Sequence, residues 1–385
     1  MSGLSASALG LVLGLASSPD AAGAGPTARR IVVEPSMVAR AWRAYARRFI
    51  RRSGRVIDRS DGNRTTSEGQ AYALVRAAWA DDEATFNRVL RWTRTHLQGG
   101  DSTALPAWWW GLRDGAWGVV DSNPAADADV WMAYAMLVAA ERWNRPELLH
   151  EARGMIASIW RGEVAAVGPW TVLLPGPWAQ SQDPVRINPS YLLPFAFRAF
   201  AEVDPDHDWM ALVDGSYDVL GILMSGDTLP PDWAHFERST GQRAPEPDDA
   251  PENSAAHGWE ALRVAWTLAA DARWHGEPRA RALMTAYADL AERYGQDGRL
   301  GAIVDGTGAA LVPYGSPALY GSLLAAWSEV HPMAAAHVFE QEIEALAGPR
   351  GLGGWGAPDD YYGHNWTWLG VAFWTGVALP PGGSR

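Results

Sequence analysis

From residue 34 to residue 376 the chain is written in a single period. Apolar residues recur every three or four positions, segment after segment, with glycine and proline breaks between them, while two-residue alternation is scarce. Each such segment must bury one stripe against other helices. The clearest are 82–97, 125–143, 146–160, 190–202, 255–274, 278–294 and 332–346. A set of roughly a dozen helices can stack as an open solenoid or close as a ring of hairpins, and a solenoid carries a fixed sequence repeat. No repeated motif is present. The expected fold is therefore all-α, an (α/α)6 toroid or barrel of about twelve helices.

Two stretches interrupt the period. Residues 164–174, rich in Val, Gly, Trp and Leu, predict a short β-hairpin or loop insertion. Residues 244–253, with three prolines and four acids, predict an exposed loop. Helical patterning resumes at once after each, so 34–378 is expected to be one domain, with 379–385 a flexible tail. The leader, 1–33, holds a short apolar run at 8–15 followed by Ala21-Ala22-Gly23-Ala24, and resembles a signal peptide, although no basic residue precedes the run. That predicts a periplasmic or secreted protein. No later run reaches the ~18 apolar residues of a membrane span, so no stable membrane insertion is expected.

Composition removes several chemistries. A net charge of -12 repels nucleic acid and anionic membranes. All 32 basic residues are Arg, which excludes a P-loop lysine or a Schiff base. With no Cys and no His-Glu-x-x-His pattern, neither a thiol nucleophile nor a zinc site is indicated, and no metal or cofactor is expected.

The 22 tryptophans point to a ligand class. A flat indole matches the apolar face of a pyranose, and its N–H can bond a hydroxyl. Candidates are Trp108-Trp109-Trp110, Trp117, Trp131, Trp233, Trp259, Trp366 and Trp368, each of which could equally fill a gap between helices. The triple run is different, because consecutive residues cannot all face one core.

Three acidic sites accompany them. Glu68, in Thr65-Thr66-Ser67-Glu68-Gly69-Gln70-Ala71-Tyr72, also has capping-box spacing from Thr65. Asp127 and Asp129, in Ala125-Ala126-Asp127-Ala128-Asp129, sit in a first helical turn and point to different sides, so at most one faces a site. Glu260 and Arg263, in Gly258-Trp259-Glu260-Ala261-Leu262-Arg263, have the spacing of an ordinary helix-surface ion pair.

In this order and with these neighbours, the three sites resemble glycoside hydrolase family 8, and most closely its endoglucanases that accompany bacterial cellulose synthase. The resemblance extends over about 55–376. Residues 125–129, followed by Met132, Ala133, Ala135, Ala139 and Trp143, match the family signature except at Ala126, where Ser or Thr is usual. Further matches are Leu105-Pro106-Ala107-Trp108, Asp121-Ser122-Asn123, Asn188-Pro189-Ser190-Tyr191, Pro231-Asp232-Trp233 and Tyr361-Tyr362.

The resemblance implies an inverting endo-β-1,4-glucanase (cellulase). Glu68 takes the position of the general acid, Asp127 that of the signature aspartate, and Glu260 that of the general base, where the family usually has Asp. It also implies Trp108, Tyr191, Trp233, Arg263, Tyr361 and Tyr362 as substrate-binding groups for a β-1,4-linked polysaccharide, and the cellulose synthase machinery as a partner. Related members act on xylan or chitosan, and a chain with a defective base would be a glucan-binding subunit. Both alternatives stay open on sequence.

Overall fold

The structure, a computed structural model, describes residues 35–248, 250, 253–347 and 355–383; the expected leader lies outside the described residues. Thirteen α-helices follow one another among them: α1 Pro35–Phe49, α2 Ser67–Trp79, α3 Glu83–His96, α4 Ala126–Arg142, α5 Pro146–Glu163, α6 Pro194–Val203, α7 Trp209–Leu223, α8 Leu262–His275, α9 Pro278–Leu283, α10 Ala288–Asp297, α11 Pro317–Val330, α12 Pro332–Val338 and α13 Tyr361–Trp374. A 3₁₀ turn, Met284–Tyr287, joins α9 to α10 as one bent element. Among the described residues twelve helical elements thus form five hairpins, and α1 packs on α13 as the sixth pair that completes the circle. This is the expected (α/α)6 toroid.

Sequence decides which helix goes inside. α2, α4, α8, α11 and α13 are apolar or small on nearly every side, and almost all their residues are buried. α3, α5 and α10 carry an apolar stripe on a charged cylinder and keep an outer face in water. The chain alternates inner and outer, so the inner helices α2, α4, α6, α8, α11 and α13 run in the same direction and bring their N-termini to one face of the ring.

Aromatic side chains fill the axis. Trp79, Trp131, Phe195 and Trp266 come from α2, α4, α6 and α8, with ring centroids 6.2 Å apart for Trp79 and Trp131, 5.5 Å for Trp131 and Trp266, and 5.6 Å for Phe195 and Trp266. Trp131, Trp366 and Trp368, read as possible sugar platforms, are therefore core residues. Where the inner helices meet at the axis, large flat side chains fill the space between them.

The ring is closed between α2 and α13. Arg76 Nη1 donates to Asn365 Oδ1 at 2.6 Å, and its guanidinium lies 3.9 Å from the Tyr45 ring centroid, 4.9 Å from Trp368 and 5.2 Å from Trp42. Burial pulls its pKa down to about 9, so the aromatic cage holds a costly charge.

Helices α11 and α13 pack more tightly than side chains would permit. A Cβ on Gly370 would stand 1.9 Å from Gly321 O, and one on Gly321 would stand 2.4 Å from Trp366 O. Gly370→Ala should therefore cost about 1–3 kcal/mol despite the better helix propensity of alanine. Urea unfolding of the variant checks this; an unchanged midpoint would show that the contact yields freely.

Short sheets decorate the ring. The expected hairpin is present as Val164–Val167 paired with Trp170–Leu173. A three-stranded sheet that the helical reading missed joins β1 (Thr65–Thr66), β2 (Trp109–Arg113) and β3 (Ala116–Asp121). Its turn is Asp114-Gly115, both at positive φ, a strong hairpin signal in the sequence. Trp110 leaves this sheet to pack against Trp92 and His96 of α3, while Trp108 and Trp109 pack on each other, so the triple run does divide between surroundings.

Elsewhere the expected helix at 255–274 begins only at Leu262, because the backbone amides of Gly258, Glu260 and Ala261 turn to the Asp232 carboxylate. Pro245 and Asp248 of the expected loop are exposed, whereas Ala244 is buried in a strand. The start of the 379–385 tail is tied to the body: Trp79 Nε1 donates to Leu379 O at 2.8 Å, and the Gly382 amide to the Glu141 carboxylate. No helix among the described residues is long and apolar enough to cross a membrane.

Candidate active site

The inner N-termini define the site. Glu68 lies in the first turn of α2, Asp127 in that of α4, Arg263 in that of α8, and Tyr361 and Tyr362 in that of α13; Tyr191 ends the 3₁₀ turn before α6. Helix N-termini favour anionic side chains. Glu68 is free for chemistry because the cap of α2 is Thr66, which accepts the Gly69 amide at 3.0 Å. Thr65 instead donates to Val56 O, so the capping-box role suggested by spacing is not taken.

One guanidinium gathers the three acids. Arg263 Nη1 donates to Glu68 Oε2 and to Asp127 Oδ2, each at 2.9 Å, and Nη2 donates to Glu260 Oε2. With its side chain 2% exposed, Arg263 is no helix-surface partner. Glu260, whose side chain is 33% exposed, also accepts from Asn188 Nδ2 at 3.0 Å. Glu68 Oε1 accepts from Tyr361 OH at 3.0 Å.

The remaining predicted groups surround this cluster. The Arg263 guanidinium lies 5.3 Å from the centroid of the Tyr191 ring, which meets Trp233 edge-on at 6.0 Å. Tyr362 OH donates to Trp259 O at 2.6 Å. Trp108 stands beside the acid, its carbonyl accepting the Ser67 amide at 3.0 Å. The structure thus assembles all nine residues from positions up to 294 apart in the chain. Among the described residues no group of His, Asp or Glu is arranged to hold a metal ion.

Three carboxyls cannot all ionise cheaply around one cation. Burial, opposed by Arg263 and reinforced by the neighbouring Asp127, pushes Glu68 up to about 7. Burial raises Asp127 as well, against the pull of Arg263. Burial opposes the charge on Arg263, and the surrounding tyrosines and acids outweigh it. Glu68 can therefore hold a proton near neutrality at the mouth of the cluster.

The sequence profile of Glycosyl hydrolases family 8 matches residues 28–304. The chain belongs to glycosyl hydrolase family 8. It is 38% identical over 305 residues to an endoglucanase of Xanthomonas axonopodis pv. citri, covering 72% of this chain and 76% of that one. A probable endoglucanase of Novacetimonas hansenii is 32% identical over 54% of this chain and 60% of its own. Among solved structures, an endo-1,4-D-glucanase from Vibrio fischeri ES114 superimposes with a TM-score of 0.75 at 28% identity, covering 86% of this chain and 94% of that one.

This glycoside hydrolase also holds acids that the cluster does not use. Asp129 points away from Asp127, as the two-residue spacing requires, and faces Glu163 at the end of α5. Both are fully buried, and among the described residues no group other than the facing carboxyl hydrogen-bonds their four oxygens. Burial raises both pKa values, Glu163 to about 8, so Glu163 keeps its proton at neutral pH and Asp129 is shifted in the same direction. A carboxyl whose folded pKa is raised lends stability that is full below its unfolded value of about 4.5 and lost as pH rises through about 8. Glu163→Gln should therefore flatten the fall in melting temperature between about pH 5 and pH 8; an unchanged slope would place the proton elsewhere.

Three supporting residues of the family 8 site carried no role in the sequence reading. Tyr72, which accepts from Arg263 Nη1 at 3.3 Å, Asn188 and Asp232 all lie inside or beside matched motifs. Their signal was position next to a named residue, without chemistry of their own.

Proposed function

We propose that this glycoside hydrolase cuts β-1,4-glucan chains internally, with inversion at the anomeric carbon. The observation that carries the reading is Glu68, protonated near neutrality, sharing one guanidinium with a half-exposed Glu260. The resemblance to the Xanthomonas endoglucanase and the Vibrio endo-1,4-D-glucanase supports the polymer and the endo action.

Glu68 gives its proton to the glycosidic oxygen as the C1–O bond breaks. Glu260 takes a proton from the water that attacks C1 on the opposite face, and exchange with solvent restores both groups. Inverting pairs stand ~6.5–9.5 Å apart, and two carboxylates held on one guanidinium start closer together than the upper end of that range. The extra methylene of Glu260, relative to the usual Asp, lets it reach Arg263 and Asn188 at rest and swing outward to admit water. Asp127 lies beneath the sugar, where its charge stabilises the positive ring of the transition state.

The viscosity of carboxymethyl cellulose should fall faster than reducing ends accumulate, and the first product released from cello-oligomers should be the α-anomer by proton NMR. Cleavage of xylo- or chitosan oligomers in preference to cello-oligomers would overturn the substrate. A β-anomer would overturn the inversion. The apolar run at 8–15 supports a location outside the cytoplasm, where the enzyme would meet glucan as it is made or exported. Fractionation of cells carrying a C-terminal tag, with recovery in the cytoplasm, would exclude that, and co-purification with synthase subunits tests the partnership.

A further inference from the structure

We infer that Asp232 is a positioning residue for the water-activating Glu260, acting through the backbone that precedes α8; the inference rests on the mechanism proposed above.

Three amides converge on one oxygen. Asp232 Oδ1 accepts the N–H of Gly258 at 2.9 Å, of Glu260 itself at 3.0 Å and of Ala261 at 2.7 Å. These amides are the unpaired donors of the turn entering α8, so a carboxylate from a different segment takes the place of a local cap. Ala261, the residue before α8, makes no side-chain cap bond.

The two segments are also bonded just before this contact, and the loop is tied to a third segment at Val304. Asp232 N donates to Ala256 O at 2.8 Å, Trp233 N to Ser254 O at 2.9 Å, and His257 N to Val304 O at 2.9 Å. The fit leaves no slack, because a Cβ on Gly258 would lie 2.6 Å from Asp232 Oδ2. Glu260 is thus fixed at its backbone by Asp232, while its carboxylate is held by Arg263 and Asn188. Backbone placement matters here because a longer side chain has more rotamers through which to lose the water.

The test uses the full-length enzyme on a soluble β-1,4-glucan. Since a displacement of ~1 Å can cost ~10²-fold, Asp232→Ala should lower kcat about 30-fold or more while KM stays within about threefold. Asp232→Asn keeps an oxygen that can accept all three amides and should recover kcat to within about fivefold of wild type. Gly258→Ala, which forces the loop off the carboxylate, should lower kcat about tenfold or more without a matching rise in KM. If Asp232→Ala does not fold, the other two variants decide.

The inference is overturned if Asp232→Ala or Gly258→Ala leaves kcat unchanged, or if the loss appears equally in KM. It is also overturned if Asp232→Asn is as poor as Asp232→Ala, since the carboxylate would then itself be the reacting base. Full activity in Glu260→Ala would instead sink the mechanism, and that result is separable from all of these.

Discussion

Glu68→Gln is expected to lower kcat on β-1,4-glucan by about 10³-fold, near the middle of the 10²–10⁴ range for a general acid. Glutamine keeps the length, and its oxygen can accept from Arg263 Nη1 while its NH2 donates to Tyr361 OH, so binding and folding should survive. What is lost is the proton. Because Glu68 works only when protonated and burial lifts it to about 7, wild-type kcat/KM should fall on the alkaline side of that pH. The residual activity of the variant should lack this limb. A variant with full activity, or one that keeps the limb, would remove Glu68 from the role.

Arg263→Met should be the most damaging change to stability. It leaves Glu68, Asp127 and Glu260 facing one another with their shared cation gone. Removing one partner from a buried ionic cluster costs about 3–5 kcal/mol, because the remaining charges are neither hydrated nor paired. The sign with pH follows from the carboxyls. Without Arg263 the folded pKa values of Glu68 and Asp127 rise further, so the stabilising protonated forms are present at low pH and are lost as pH rises. Unfolding in urea should show a deficit at pH 8 that shrinks markedly at pH 5. A deficit independent of pH would mean that the damage is a packing defect and that the acids are not strongly coupled to Arg263.

The helical ring was largely legible because its signal is local and repeated. Period alone marked most of the helices, and the absence of a sequence repeat selected closure over stacking. The identity of the site residues was legible only as a constellation. Glu68, Asp127 and Glu260 each had a bland local use, and Arg263 lies 195 residues from Glu68, so no window could show that one guanidinium serves all three. The division of Asp127 from Asp129 was readable because helical geometry sends residues two apart to different sides.

Other features failed for physical reasons. Trp131, Trp366 and Trp368 have the chemistry of sugar platforms, and only the position of their helices around the axis makes them core. The late start of α8 depends on Asp232, a long-range partner that overrides local helix propensity in residues 255–261. The β2–β3 hairpin was missed although Asp114-Gly115 announced it, because helical periodicity was weighed over turn chemistry.

The bond from Arg76 to Asn365 spans 289 residues. A circle sealed across that distance cannot be completed until residues 361–374 have left the ribosome, so during synthesis Arg76, Trp42 and Tyr45 must wait for Asn365 and Trp368. Such distant sealing is slow. The emerging polypeptide is thus expected to be most vulnerable to proteases and self-association until residues 361–374 have emerged and docked, even though the folded ring is closed on itself.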